Sequence, residues 1–425
     1  WVRQRLGSHK PTVPPCCCKP ANGRCFDGVR GRKSMRGTGW VALGMVLVMM
    51  LPLVSADLTS RVELEHQGTL SDTDLGITVG AISPSGEDVL IGGLNGYARL
   101  LSASQADDRS MDVELITGRN STINDIAWHP RGNTALLVGD DGLAMRYDTY
   151  DHSVTYVNGT FTVLGKALTS VVWRPGGDFA YVASATGDVW KFAEHTGFEL
   201  LEDLRTSRVT DVSCHRNYNV CAVATVDDGI AIIDEGHAVG WLAETAAQTW
   251  IGIDCASPVL NECVGFASGL TSSVVRINTL DARQSTVQTP VRIDLPLGEY
   301  VSVSRGHDGT SLVHLAPLGV VRNMPMSGDS FTVLVPEDAA QWDEIIAGRG
   351  LSVIWETGLH RGFIITDFGN VVEFSPAVEE VEMNIIDVLV LGAVSISVPG
   401  VILGLIYMNS PWMQRKYREW RFGKK

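Results

Sequence analysis

Between residues 80 and 370 the sequence repeats one pattern at intervals of 41 to 50 residues. Each unit passes from an apolar strand through a Pro/Gly turn to a second apolar strand, and then through a glycine turn to a third, as in the motif at residues 127–132 (AWHPRG). A period of this size is typical of units that cannot bury an apolar face alone and therefore pack on their neighbours. The second residue of the motif marks the units at Ile82, Trp128, Trp173, Cys214, Cys255, Arg305 and Trp355.

A second column of residues, about fourteen positions after the first, keeps step with it. Glycine permits the positive φ that tight hairpin turns require, and an alternating strand follows each of these positions. A chance alignment would not hold in both columns, so seven units are expected. The last units are stretched, which leaves six or eight units as the alternatives. The second column consists of Gly96, Gly142, Gly187, Gly229, Ser273, Gly319 and Gly369.

The period and the strand–Pro-x-Gly–strand layout of residues 60–380 resemble the WD40-like and YVTN-like β-propeller repeats. The hallmark dipeptides differ: no Gly-His opens a unit, and the Trp-Asp position reads Tyr147-Asp148 in one unit and Ile233-Asp234 in another. The resemblance implies a fold, an all-β seven-bladed β-propeller over residues 57–383. It implies no particular function, since propellers host both binding and catalysis.

Closure of such a ring requires one more strand than the seventh unit supplies. That unit holds three strands before Pro376, whereas the blades of a propeller have four. Residues 61–65 alternate apolar and polar side chains. We expect them to form the outermost strand of the last blade, which would remove an exposed sheet edge.

The residues before the repeats indicate export. Residues 1–34 are expected to be a non-native or disordered leader, because they are polar, basic and rich in cysteine. Residues 35–56 predict a secretory signal peptide: Arg36 precedes an apolar run from Trp40 to Val54, and a small-residue cleavage site follows. An uncleaved membrane anchor is the alternative, although the run is short for a span.

The residues after the repeats predict attachment to a membrane. Residues 384–408 contain a single charge, Asp387, and are expected to form one C-terminal transmembrane α-helix long enough to cross the hydrocarbon core. Residues 409–425 combine aromatic and basic side chains, which is typical of a cytoplasmic tail. The protein is therefore expected in the cell membrane, with the large domain outside. A buried core helix is the alternative for residues 384–408.

The expected outer domain is strongly acidic. Residues 57–383 contain 19 Lys and Arg against 45 Asp and Glu, a net charge of −26. A surface of that sign repels phosphate backbones, so nucleic acid is not an expected partner. A protein partner or a small ligand outside the cell is expected instead.

Two further patterns agree with an oxidising, extracellular compartment. Four cysteines form two pairs, each flanking a short turn, and the spacing within each pair fits no common zinc pattern. Two Asn-x-Ser/Thr triplets have the form of glycosylation acceptors. The residues are the disulfide pairs Cys214 with Cys221 and Cys255 with Cys263, and the acceptors Asn120 and Asn158.

No catalytic motif stands out, so the sequence favours a protein that is not an enzyme. The best candidates for a binding site lie three residues before each marker, where the innermost strands would enter the central channel. Small polar groups there could hold water, a cation or a peptide; ordinary hydration of the inner strands is the alternative. The ring consists of Val79, Asp125, Ser170, Asp211, Gly252, Ser302 and Ser352, of which the five Asp and Ser residues are the candidate ligands.

Paired aspartates occur at two equivalent turns, Asp140-Asp141-Gly142 and Asp227-Asp228-Gly229. Carboxylate oxygens are ligands that calcium prefers, which makes Asp140, Asp141, Asp227 and Asp228 candidate metal ligands. An ordinary Asp-Gly hairpin turn is the alternative. No cofactor other than this calcium is expected.

Three functions are consistent with these features. The leading hypothesis is an extracellular recognition or scaffold protein, in which Trp241, Trp250 or Trp342, where exposed, would contact a protein partner. The second is a calcium-assisted hydrolase of the propeller type that uses Asp125 and Asp211. The third is an assembly factor for a membrane complex, with contacts made by the span itself.

Overall fold

The fold was examined in a computed structural model, which describes residues 62–377 with gaps at 294–297, 307–308, 317, 325–328 and 335–349, together with residues 393, 397 and 400–423. Its first strand is β1 (Val62–Thr69). Within the described residues the strands form seven antiparallel sheets, the blades. The innermost strands of successive blades contact one another in chain order, and those of the last and first blades also touch. The prediction of an all-β seven-bladed propeller is confirmed.

In each of the first three blades, four strands follow one another outward from the central channel. These are β2 (Ile77–Ile82), β3 (Asp88–Gly93), β4 (Ala98–Ser102) and β5 (Val113–Glu114) in blade 1; β6 (Ile123–Trp128), β7 (Thr134–Gly139), β8 (Ala144–Asp148) and β9 (Val154–Tyr156) in blade 2; and β10 (Leu168–Trp173), β11 (Ala180–Ser184), β12 (Val189–Ala193) and β13 (Gly197–Leu200) in blade 3.

The remaining blades keep this order, and blade 5 carries a fifth short strand. They consist of β14 (Val209–Cys214), β15 (Cys221–Thr225), β16 (Ile230–Ile233) and β17 (Val239–Leu242) in blade 4; β18 (Trp250–Asp254), β19 (Glu262–Ala267), β20 (Thr271–Arg276), β21 (Thr286–Val287) and β22 (Val291–Arg292) in blade 5; β23 (Glu299–Arg305), β24 (Ser311–Ala316), β25 (Val320–Met324) and β26 (Asp329–Leu334) in blade 6; and β27 (Leu351–Gly358), β28 (Arg361–Thr366) and β29 (Asn370–Pro376) in blade 7.

Blade 7 is completed by the first strand of the domain. β1 pairs antiparallel with β29, with Val62 opposite Pro376 and Leu64 opposite Phe374. Val62, Leu64 and Phe374 lie in one apolar cluster. The predicted closure is therefore confirmed for residues 62–65, while residue 61 lies outside the described part of the chain.

The apolar core is divided among the interfaces between blades. Side chains alternate across a strand, so the second and third strands of a blade can bury both faces, one against each neighbouring blade. In blade 2, Ile126 and Trp128 pack on Leu90 and Leu100 of blade 1, whereas Ala127 faces the next interface. Stability thus depends on contacts between neighbours, as expected of repeat units.

The two predicted disulfides, Cys214–Cys221 and Cys255–Cys263, are present. Each closes a hairpin between the innermost and second strands, in blades 4 and 5. Cys214 and Cys255 occupy the position that Trp128 and Trp173 hold in blades 2 and 3, and they lie in the corresponding apolar clusters between blades. Disulfide sulfurs therefore fill space that indole rings fill elsewhere.

The repeat alignment is wrong at two positions. Counted from the bulge at Leu351 and Val353, the residue of blade 7 equivalent to Trp128 is Glu356, one residue after Trp355. In blade 5 the turn between the second and third strands contains Gly269, with a φ of 74°, whereas Ser273 lies inside β20. Both errors came from aligning residue types without knowing the strand register.

The C-terminal residues are helical from 400 to 409 and again in α1 (Pro411–Phe422). No helix in the described part of the chain is both long and apolar enough to cross a membrane. Most of the predicted span, residues 384–408, lies outside the described residues, as do the predicted leader (1–34) and signal peptide (35–56).

Candidate functional site

The mouth of the central channel is built by one feature that recurs in every blade. Each innermost strand carries a β-bulge near its start, and in blades 1 to 6 the residue that resumes pairing is the ring residue. The inner edge of this strand faces the channel and has no strand partner, so its N–H groups require other acceptors. We call the face on which the innermost strands begin the entry face.

Three ring residues of consecutive blades, Asp125, Ser170 and Asp211, supply those acceptors. The Oδ2 atom of Asp125 accepts from the backbone N–H of Val171 at 2.7 Å. The Oγ atom of Ser170 accepts from the N–H of Val212 at 3.2 Å. Each side chain thus binds the inner edge of the next blade.

Asp211 continues this pattern toward blade 5, because its Oδ2 atom accepts from the N–H of Ile253 at 2.9 Å. The hydroxyl of Ser170 also donates to Oδ1 of Asp211, at 3.5 Å. The three predicted site residues Asp125, Ser170 and Asp211 are therefore brought together as one polar strip along the channel mouth. The hydrogen bonds show a structural role that the sequence did not predict.

Burial changes the acidity of this strip. Loss of hydration raises the pKa of Asp125 to about 6, although the N–H groups of Val171 and Ile126 stabilise its carboxylate. Burial also raises the pKa of Asp211 to about 7; the N–H of Ile253 opposes the shift and the charge of Asp125 adds to it. Near neutral pH the strip is therefore able to hold or release a proton.

The ring residues of blades 6 and 7 do not continue this pattern of hydrogen bonds. Ser302 contacts Nδ1 of His314 at 3.0 Å, and Ser304 contacts Nε2 of the same ring at 3.1 Å. Burial lowers the pKa of His314 to about 4, so this imidazole is neutral. In blade 7 the bulge leaves Ser352 unpaired, and Val353 takes the ring position. Ser352 is therefore not equivalent to Asp125.

A second polar group lies toward the other end of the channel, and sequence reasoning missed it. Asp254, at the end of β18, accepts from Arg305 at 3.0 Å, from Ser311 at 2.9 Å and from Ser213 at 3.4 Å. Ser213 in turn accepts from the N–H of Cys255 at 3.0 Å. Arg305 stood in the marker column, and a charge in a column of apolar residues was the signal that could have revealed this network.

The paired aspartates lie where predicted, in the turns between the second and third strands of blades 2 and 4. Asp140 accepts from the amide of Asn124 at 2.9 Å, and Asp228 accepts from the N–H of Ser207 at 3.0 Å. Asp141 and Asp227 are exposed. Among the residues that the structure describes, no three His, Cys, Asp or Glu side chains form a group that could hold a metal ion. The calcium site stays a prediction.

The entry face also carries an apolar patch. We define the entry-face patch as Ile116, Tyr156, Phe161 and Leu164, which are 86%, 46%, 82% and 74% exposed. The loop that bears Ile116 touches the end of β9, since the guanidinium of Arg119 lies 4.4 Å from the centre of the Tyr156 ring. Large exposed side chains of this kind on one face are typical of protein-binding surfaces.

The predicted tryptophan anchors are not part of this patch. Trp250 is buried and donates to the carbonyl of Thr245 at 2.9 Å. Trp241 is partly buried, with the guanidinium of Arg205 4.5 Å from its ring centre. Trp342 lies outside the described residues. The acceptors Asn120 and Asn158 are both exposed, and Nδ2 of Asn158 donates to the carbonyl of Glu194 at 3.1 Å.

The sequence matches no protein-family model and no curated protein. Among solved structures, the β-propeller domain of Myceliophteria thermophila Cps50 (Swd1) is similar, with a TM-score of 0.57 and 11% identity over 74% of this chain and 100% of that domain. Similar solved structures amount to 1627 chains, so the fold is widespread and does not assign a function. The class that fold and comparison define is a seven-bladed, WD40-like β-propeller.

Proposed function

We propose that this chain is a recognition scaffold, a rigid propeller that binds a protein partner through the loops of its entry face. The entry-face patch carries this proposal. Ile116 and Phe161 expose most of their surface to solvent, yet their loops are fixed by hydrogen bonds to the turn at residues 140–142, such as Gly142 N–H to the carbonyl of Lys166 at 2.6 Å. A preformed apolar surface loses little conformational entropy on binding.

The charge around the patch defines the partner. Asp140 and Asp141 border it, and the domain as a whole is strongly acidic. Complementary charge speeds association and excludes partners of like sign. The expected partner is therefore a protein surface with an apolar centre and a basic rim.

We further propose that the propeller lies outside the cell and is anchored to the membrane by residues 384–408. The signal-peptide pattern of residues 35–56 supports export. Both disulfides support an oxidising compartment, since such bonds rarely persist in a reducing one. The exposed acceptors Asn120 and Asn158 are compatible with glycosylation there.

Site-specific photo-crosslinking in intact membranes tests the proposal. A photoreactive amino acid replaces Phe161 or Leu164 on the entry face, and Tyr150 or Leu280, which are equally exposed on the opposite face, serve as controls. We expect a defined crosslinked protein from the entry-face positions and none from the controls. Crosslinks from Tyr150 or Leu280 alone would contradict the assignment.

Calcium separates the scaffold from the hydrolase alternative. A scaffold whose aspartates serve as turn residues and hydrogen-bond acceptors has no reason to bind the ion. Calcium titration with a thermal-shift readout is therefore expected to leave the melting temperature unchanged. A saturable increase that disappears in the Asp211→Asn variant would favour the hydrolase.

A further inference from the structure

The C-terminal helix α1 has two chemically distinct faces. At 3.6 residues per turn, Trp412, Tyr417 and Trp420 lie on one face, which also carries Lys416. The arginines spaced three apart, Arg415, Arg418 and Arg421, lie on the other. Trp412 and Trp420 are 67% and 81% exposed. An aromatic face opposite a basic face is typical of a helix that lies in the plane of a membrane surface.

The junction before α1 is a fixed corner between two helices. The side chain of Ser410 accepts from the N–H of Met413 at 3.4 Å and caps the start of α1. Gln414 donates to the carbonyls of Tyr407 and Met408, at 3.1 and 2.9 Å, in the last turn of the preceding helix. The mutual capping stops one helix and begins another.

Aromatic packing holds the same corner. The rings of Tyr407 and Tyr417 meet edge to face, with centroids 5.6 Å apart. Before the corner, the helical residues 401–408 are apolar, and the large side chains other than Tyr407 expose about half or more of their surfaces, as in Leu403 at 57% and Met408 at 70%. An apolar helix, a corner and an amphipathic helix follow one another along the chain.

The charge of α1 and its flanking residues is opposite in sign to that of the propeller. Residues 409–425 contain six Lys and Arg against one Glu, whereas residues 57–383 carry a net charge of −26. An anionic lipid surface therefore repels the propeller and attracts α1. The acidic propeller of a second copy would also attract α1 by charge, but the aromatic face of α1 and the apolar helix before it favour lipid.

We propose that α1 is an interfacial helix that binds anionic lipid headgroups, with Trp412, Tyr417 and Trp420 inserted among the headgroups and its arginines on the phosphates. Indole and phenol rings prefer the headgroup level, where one end is apolar and the other is wet. The inference extends the proposed membrane attachment and depends on it only for the side of the membrane that α1 meets. It adds a lipid specificity that a simple anchor does not require.

The test uses the full chain in vesicles with an environment-sensitive fluorescent amino acid at one of two positions. Met413 lies at the centre of the aromatic face, and Arg418 lies at the centre of the basic face. In vesicles of phosphatidylcholine with phosphatidylglycerol, we expect the emission at 413 to shift to shorter wavelength and to be quenched by nitroxide lipids. The emission at 418 is expected to remain that of an aqueous probe.

Lipid charge is then varied. In vesicles of phosphatidylcholine alone, or at raised salt, the shift at 413 should decrease. A variant with Arg415→Gln, Arg418→Gln and Arg421→Gln should lose it as well, since each basic residue strengthens binding to an anionic leaflet about fivefold. The matched control removes the same charge from three exposed arginines of the propeller and should keep the shift: Arg131→Gln, Arg292→Gln and Arg361→Gln.

Three results would overturn the proposal. These are an aqueous probe at 413 in anionic vesicles, equal burial of 413 and 418, and an equal shift at 413 in neutral and anionic vesicles. Flotation of the chain with vesicles after an alkaline wash tests the anchor separately. If the chain floats but the probe at 413 stays aqueous, only the interfacial helix is refuted. If the probe at 413 responds to anionic lipid before the wash but the chain does not float after it, only the anchor is refuted.

Discussion

One strand position takes chemically different residues in different blades. In blades 2 and 3 it is Trp128 or Trp173, in blades 4 and 5 a disulfide cysteine, and in blade 6 Arg305. In blade 7 it is Glu356, which pairs with Arg322 of blade 6, and both side chains are fully buried. The position always faces the preceding blade, so each residue type is a different solution to the same packing problem.

At this scale Asp211 predicts a pH dependence of stability. Its folded-state pKa of about 7 is above its ordinary value, so the folded protein holds this proton more tightly than the unfolded chain. The resulting stabilisation is complete at low pH and is lost as the pH rises through the folded-state pKa. Each unit of pKa difference corresponds to about 1.4 kcal/mol.

Asp211→Asn should remove this dependence, because an amide imitates the protonated carboxyl group. Between pH 5 and pH 8, chemical unfolding should show the wild type losing more free energy of unfolding than the variant, with the extra loss levelling off once the pH exceeds the folded-state pKa of about 7. Asp107→Asn, at an exposed position, is the matched control. Parallel pH profiles for the wild type and Asp211→Asn would refute the account.

The buried pair Arg322–Glu356 predicts a large effect from a small change. Glu356→Gln leaves the guanidinium of Arg322 buried beside a neutral amide, and such a loss costs about 3–5 kcal/mol. Urea unfolding should show a midpoint shifted to lower concentration. The double variant Arg322→Met with Glu356→Leu should recover most of the loss, and an unchanged midpoint in the single variant would show that the pair contributes nothing.

Residue types alone could predict much of the site but not its register. Asp125, Ser170 and Asp211 were found because blades 2 to 4 keep the same distance between bulge and marker. Ser352 does not lie at the ring position, because the residue of blade 7 equivalent to Trp128 is Glu356 rather than Trp355. The partners of Asp254 and Glu356 come from other blades, and within the sequence only the charge of Arg305 in the marker column pointed to the Asp254 network.

At the scale of elements, the strand that closes the ring is the one whose loss from its blade we expect to be easiest. β1 is separated by 300 residues of ring from its partner β29, and only its buried residues Val62 and Leu64 pack on that blade. Leu64→Pro should remove this packing and hold φ away from the extended value of the strand, and lower the free energy of opening of blade 7 by about 2 kcal/mol or more.

Hydrogen exchange measures this prediction directly. In Leu64→Pro, deuterium uptake should rise in β29 and β1 while β11 and β15 stay protected. Glu65→Ala, an exposed position of the same strand, should resemble the wild type. Uniform loss of protection in every blade would mean that the ring opens as a whole and that closure is not a separate step.

Elements were the easiest level to predict. The alternation of apolar and polar residues at 61–65 predicted the closing strand. The two columns of markers, repeated every 41 to 50 residues, predicted the blade count. The bulges could not be predicted, because they depend on pairing with a neighbour. They nevertheless decide which side chains reach the channel.

At the scale of the whole molecule, charge and shape divide the chain into parts with different surroundings. The acidic ring presents an apolar patch on one face, while the basic α1 presents aromatic side chains. The sequence predicted both charge regions, but not the patch, which depends on how the loops after β5 and β9 fold. Recognition by the entry face is the claim on which the functional account depends.

Hydrogen exchange of the protein in intact membranes, compared with the purified protein, tests that claim most directly. The account predicts protection of the loops at residues 115–122 and 157–166 in membranes, lost on purification, with the opposite-face loops at residues 149–153 and 277–285 unchanged. Protection confined to those opposite-face loops, or no difference between the two preparations, would contradict it.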